Sequence, residues 1–183
     1  MQKAIYSKVD LTELSNPKIK EFNDMICDLL QIDEVQLLKG FSQHMDTTRF
    51  QHSINVAYYT FLICRKFNLK TEEATRAALL HDLFLYNWRE NKEEGWHPST
   101  HPKKALENSQ RLVEVTPIME DCIVKHMWPM TLKTPKYKEG WVVTSMDKYC
   151  AALECISQSS RKLKTSNAVM YLCSIIPFIT INH

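Results

Sequence analysis

Ala77-Ala78-Leu79-Leu80-His81-Asp82-Leu83-Phe84-Leu85-Tyr86 reads as a helical run with no solvent face, broken only by an imidazole and a carboxylate in its middle. Nothing within the run compensates that pair. Burying such groups without partners costs on the order of several kcal/mol, so they persist where they meet hydrogen-bond partners or a metal ion. Working outward, the chain offers His52, His101, His126 and Asp147, each on or beside an apolar stripe of its own predicted helix. A single histidine on such a stripe is more often a hydrogen-bonded core residue than a ligand. Four inward histidines and two inward aspartates on separate helices are hard to explain one by one. A shared ion explains them together.

The apolar period around the run is helical nearly everywhere, and only three glycines are present to make strand turns. This predicts an all-α protein, a single helical bundle over residues 1–183 whose motif-bearing part covers about 45–155. Asn16-Pro17 opens a helix carrying Phe22, Met25, Ile26, Leu29 and Leu30. Asp46-Thr47-Thr48 caps a helix through about Phe67, where Val56, Tyr59 and Ile63 follow His52 along the buried face. Thr71, with Glu72 and Glu73, is expected to cap the helix that ends in the His81-Asp82 run.

Residues 87–100 have no apolar period and hold a glycine and a proline, so they are expected to form a long loop beside the site. Pro102 suits a first turn and places the next helix start at His101 or Pro102, running to about Val115. Thr116-Pro117 starts another, on which Ile118, Cys122 and His126 share a face. From Trp141 to about Ser157 a last helix places Asp147 between Val143 and Cys150. The apolar stretch from Ala168 to Ile181 contains Pro177 and is shorter than the roughly 20 residues of a membrane span. It is expected to pack as a C-terminal segment, the alternative being a tail that is disordered or contacts another copy.

A net charge of +2 with scattered basic residues argues against a nucleic-acid polymer and against a membrane surface as partner. The six cysteines include no C-x-x-C pair, and Met1-Gln2-Lys3-Ala4-Ile5-Tyr6 lacks a signal-peptide core. A cytoplasmic protein with reduced thiols is the expectation. Imidazole and carboxylate without a cysteine set suit a catalytic metal site with open positions, since structural zinc favours thiolates.

The order His52, His81-Asp82, His101, His126, Asp147 resembles the HD superfamily of metal-dependent phosphohydrolases in its six-ligand form. The local contexts Arg49-Phe50-Gln51-His52-Ser53, Leu79-Leu80-His81-Asp82 and Asp147-Lys148 agree. The resemblance implies two divalent transition metals, drawn from Fe, Mn, Ni, Co and Zn. His52, His81, Asp82 and Asp147 would surround one, and Asp82 would bridge to a second held by His101 and His126. Two such ions about 3.5–4 Å apart supply an activated water and polarise phosphoryl oxygens, so no side-chain nucleophile is required. Arg49, one turn before His52, would turn its fork to the same mouth and hold a phosphate, or else pair with Asp46 or the helix end. Lys148 would meet an anionic substrate or stand in solvent.

Departures from the family bear on substrate. Leu83-Phe84-Leu85 follows His81-Asp82 where cyclic-dinucleotide phosphodiesterases tend to have Ile-Gly, and no Gly-Tyr-Pro element is present. Met127 stands where several two-metal relatives carry a second histidine, and His97 is an alternative to His101 as ligand. The layout is also similar to diadenosine tetraphosphate hydrolases of the superfamily. The expectation is a hydrolase of a small phosphorylated molecule, nucleotides included, with a homo-oligomer compatible. Two other readings stay open: a di-iron oxygenase of a small organic substrate, and a non-catalytic module with structural metal. A closed structural site, however, needs no long loop beside it.

Overall fold

The helix that carries His52 is surrounded by the rest of the chain. A computed structural model describes residues 3–44, 46–87 and 96–165, and the helices in order are α1 (Pro17–Ile26), α2 (Asp33–Leu37), α3 (Arg49–Lys66), α4 (Thr71–Leu80), α5 (His97–Leu112), α6 (Pro117–Lys125) and α7 (Lys138–Thr165). On α3, Phe50, Ile54, Val56, Ala57, Tyr58, Phe61 and Cys64 are all buried, as are Arg49, His52 and Asn55, so the helix has little solvent face. A helix apolar nearly all round belongs in the centre of a bundle. α3 packs against α4 and α7, α4 against α6, and α6 against both α5 and α7.

Local chemistry sets several of the ends. The Asn16 side chain accepts the Lys18 N–H, the Thr48 hydroxyl that of Gln51, and the Thr116 hydroxyl that of Met119. At the end of α3, Asn68 adopts a left-handed conformation (φ 50°), which lets Leu69 N–H reach the Cys64 carbonyl at 2.9 Å and satisfies an orphan acceptor. α1 closes one side of the core, its Phe22 ring 5.5 Å from those of Tyr58 and Phe61. Gly140, in the first turn of α7, is required by close approach: a Cβ there would lie 2.8 Å from Asp121 Oδ2 and 2.9 Å from Pro135 Cβ. That same Asp121 oxygen accepts the N–H groups of Lys136 and Tyr137, fixing the entry into α7 and with it Asp147.

Several boundaries differ from expectation. A short antiparallel ribbon, β1 (Ser42–His44) with β2 (Thr47–Thr48), precedes α3 in an otherwise all-α fold. α4 is capped at Lys70 without a side-chain bond; the Thr71 hydroxyl donates instead to the Leu69 carbonyl, and Glu139 Oε1 takes the Lys70 N–H at 2.9 Å. α4 also stops at Leu80, so His81 and Asp82 sit in the turn after it, held by Leu83 N–H on the Leu80 carbonyl and Phe84 N–H on that of Asp82. α5 begins at His97, inside the expected loop, and carries Pro102 in its interior. α7 starts three residues before Trp141 and continues past Ser157. The loop residues 88–95, Trp88 among them, and the apolar segment 168–181 lie outside the described residues. No helix among the described residues is long and apolar enough to cross a membrane.

Candidate metal centre

Six side chains from five parts of the chain meet at one buried point. His52 comes from α3, His81 and Asp82 from the turn after α4, His101 from α5, His126 from the residue after α6, and Asp147 from α7. All are buried, with exposures from 0% to 9%. His52 Nε2 lies 3.0 Å from Asp147 Oδ1, and His81 Nε2 lies 3.7 Å from the same oxygen. Asp82 spans the centre: Oδ2 is 3.5 Å from His81 Nε2, and Oδ1 is 3.2 Å from His101 Nε2 and 3.7 Å from His126 Nε2.

The outward nitrogens settle how the rings are oriented. His52 Nδ1 is 3.1 Å from both Glu154 oxygens. The Nδ1 atoms of His81, His101 and His126 face the carbonyls of Ala78, His97 and Ile123 at 2.7, 2.8 and 2.7 Å. An acceptor on Nδ1 requires the proton there, so once any second proton is displaced four Nε2 lone pairs face inward, the arrangement of imidazoles that ligate metal. His101 Nε2 and His126 Nε2 are only 2.9 Å apart. Two lone pairs at that distance repel unless a proton or a cation draws both. His81 Nε2 and Asp82 Oδ1 are buried and have no hydrogen-bond partner. Orphaned donors of this kind fit a cation, and a nitrogen and oxygen set without thiolate suits Fe, Mn, Co, Ni or Zn.

Electrostatics points the same way. Burial alone would lower the pKa of His52, but hydrogen bonds to Asp147 and Glu154 win and raise it to about 10. Burial likewise favours the neutral acid of Asp82 and Asp147; the cationic and hydrogen-bonding histidines around them override it and hold both carboxyls well below the usual range. His126 moves the other way, to about 3, through its burial and the charges on His81 and His101. The metal-free cluster therefore pairs two ionised carboxylates with a His52 that holds a second proton, a positive charge that an entering cation would replace. Two overlapping groups of donors, which share His81, are each close enough to hold an ion: His52, His81 and Asp147, or His81, Asp82 and His126.

A family model described as HD domain matches residues 49–152, more than half of the chain. The chain belongs to the HD-domain family. No curated protein and no solved structure gives a significant match. HD domains are as a class metal-dependent hydrolases, which agrees with the donor set. In this HD domain a cavity of about 520 Å³ reaches the centre from outside, lined by Gln43, Asp82, His97, His101, His126, Met127, Met130, Asp147 and Lys148 among others.

The remaining candidates of the sequence fall in different places. Lys148 lines that cavity, its Nζ donating to the His126 carbonyl and to Asp147 Oδ2 at 2.9 Å, so it is anchored rather than simply solvated. His97 stacks on His101, ring centroids 4.3 Å apart, and gives that residue its carbonyl acceptor. Arg49 is fully buried. Its fork donates to the carbonyls of Phe84 and Tyr86, its Nε to Gln43 Oε1 at 3.1 Å, and its guanidinium lies over the Phe84 ring. Gln43 in turn donates to Asp82 Oδ2. Two residues that sequence reading missed support His52: Glu154, fully buried, and Asn55, which donates to Glu154 Oε1 at 2.7 Å. Glu154 lies seven residues after Asp147 and four after Cys150, so its inward stripe was the available signal.

Proposed function

We propose that this HD domain is a phosphohydrolase that binds two divalent transition metals and cleaves a phosphate ester or phosphoanhydride of a small molecule. The observation that carries the reading is the convergence of four Nε2 lone pairs with two carboxylates, every Nδ1 being tied to an acceptor. His52, His81, Asp82 and Asp147 would hold one ion, and Asp82, His101 and His126 the other, with Asp82 shared because its two oxygens face opposite sides of the centre. Such ions, when bound, supply Lewis acidity toward a phosphoryl oxygen and acidify water at neutral pH.

The chain's own residues do the rest. Gln43 and Arg49 orient Asp82 from outside the centre, one through the other. Lys148 places a positive charge on the cavity wall beside Asp147, where a phosphoryl oxygen would enter. Met127, Met130 and Ala151 make part of that wall apolar and limit the water around the reacting group. The test is to strip the protein with chelator, reload it with Mn²⁺ or Fe²⁺, and assay phosphate release without oxygen. Substrates should cover phosphomonoesters, dinucleoside polyphosphates and cyclic nucleotides. Metal-dependent release from one of them is expected. Full activity in metal-free protein, or turnover only with Fe²⁺ and O₂, would overturn the proposal.

A further inference from the structure

A second cavity, of about 530 Å³, adjoins the metal cavity and shares Pro98 and Met130 with it. The start of α5 is the wall between them: His97 and His101 face the metal side, while Pro102 and Lys103 line the other. α6 repeats the arrangement with His126 on one side and Val124 on the other. The second cavity is walled by Trp96, Met130 and Leu132, which are 58%, 54% and 95% exposed. Large apolar side chains gathered at one place and left in water mark a binding surface. Lys103 and Lys133 line the same groove, so its occupant is anionic as well as apolar. The volume lies within the range of small-molecule sites.

We propose that this groove is the subsite for the organic part of the substrate, an aromatic or heteroaromatic ring whose phosphate passes the Pro98 and Met130 edge to the metal centre. The inference rests on the phosphohydrolase reading and adds the class of group the phosphate is attached to. Trp96 offers a face for the ring to stack on, Leu132 and Met130 cover its edge, and the field of the two ammonium groups favours the approach of an anionic ester.

The experiment compares 1-naphthyl phosphate with methyl phosphate on the metal-loaded protein and on its Trp96→Ala and Leu132→Asp variants. Leu132 is almost wholly exposed, so its replacement leaves folding alone. Loss of a stacked or covering side chain should raise KM for naphthyl phosphate roughly tenfold, with kcat within about twofold, and leave methyl phosphate unchanged. An equal change for both esters, or none, overturns the subsite. Should the wild type hydrolyse neither ester, the catalytic reading fails, and the groove is judged by calorimetric binding of naphthyl phosphate. Binding that weakens roughly tenfold in Leu132→Asp supports the subsite even then. Binding that is absent or unaltered, or a dimer lost in Leu132→Asp with KM unchanged, refutes it.

Discussion

His52 is backed by a carboxylate while His81, His101 and His126 are backed by backbone carbonyls, and that difference sets the part of the cluster around His52 apart from the part around His126. The inner half is His52, His81 and Asp147, where Glu154 lies 3.1 Å from His52 Nδ1 and is itself held by Asn55. The outer half is Asp82, His101 and His126, which line the cavity together with Asp147 of the inner half, and its imidazoles lean on the carbonyls at the end of α6 and the start of α5. An anionic acceptor makes an imidazole more basic and a better ligand than a carbonyl does. In the two-ion proposal the inner half would hold its ion the more tightly and the outer half would meet the substrate.

The change with the largest expected effect erases the division. Asp82→Ala removes the carboxylate that faces both halves, so both ions should be lost or greatly weakened and turnover should drop by more than about 100-fold. Metal content and rate under one buffer and metal load check this, and two retained ions would contradict it. Next comes His101→Ala, which touches the outer half alone. About one ion per chain should remain, because the inner donors are intact, while activity falls steeply if both ions are needed. Two ions and near wild-type turnover would make His101 a core residue.

Glu154→Gln sharpens the contrast from the other side. The substitution keeps the shape but takes the charge from behind His52, and outer-sphere changes of this kind typically weaken metal affinity about 10–100-fold. The tighter ion should weaken while the looser one is unaffected; equal weakening of both would remove the distinction. The smallest effect is on pH. Below about pH 10 the metal-free His52 holds a proton that an entering ion must displace. Affinity for the inner ion should therefore rise with pH, roughly tenfold per unit for each proton displaced, and a flat profile between pH 6 and 8 would count against it. Stability of the metal-free fold follows the opposite rule. The raised pKa of His52 contributes stability that is complete below the ordinary imidazole range and is lost as pH rises through about 10. Asp82 and Asp147, held low, contribute stability above the ordinary carboxylate range that is lost as pH falls through their lowered values.

The six converging donors were legible in the sequence because each interrupts an apolar stripe, and a buried polar group asks for a partner. Glu154 sits on such a stripe too, but a glutamate near the end of a long helix reads as solvent-facing until α3 is seen to cover it. Arg49 was legible as a residue near the site, but the carbonyls its fork meets were not. Its fork donates to the Phe84 and Tyr86 carbonyls, which are brought near because α4 stops at Leu80. That stop has no glycine or proline to announce it; tertiary contacts at His81 and Asp82 impose it. The start of α5 was misplaced because Pro98 and Pro102 are equally good first-turn residues. The structure uses Pro98 there and keeps Pro102 inside, where it cannot donate to the Pro98 carbonyl.

The measurement that bears most directly on the two-part centre is a metal count on protein stripped by chelator, titrated with Mn²⁺ and then dialysed, read by elemental analysis alongside a His52→Ala, His126→Ala double variant. The account predicts about two ions per wild-type chain with distinguishable affinities and almost none in the double variant. One ion per chain would leave a single-metal HD site, and equal retention by wild type and double variant would show that the converging histidines do not bind metal.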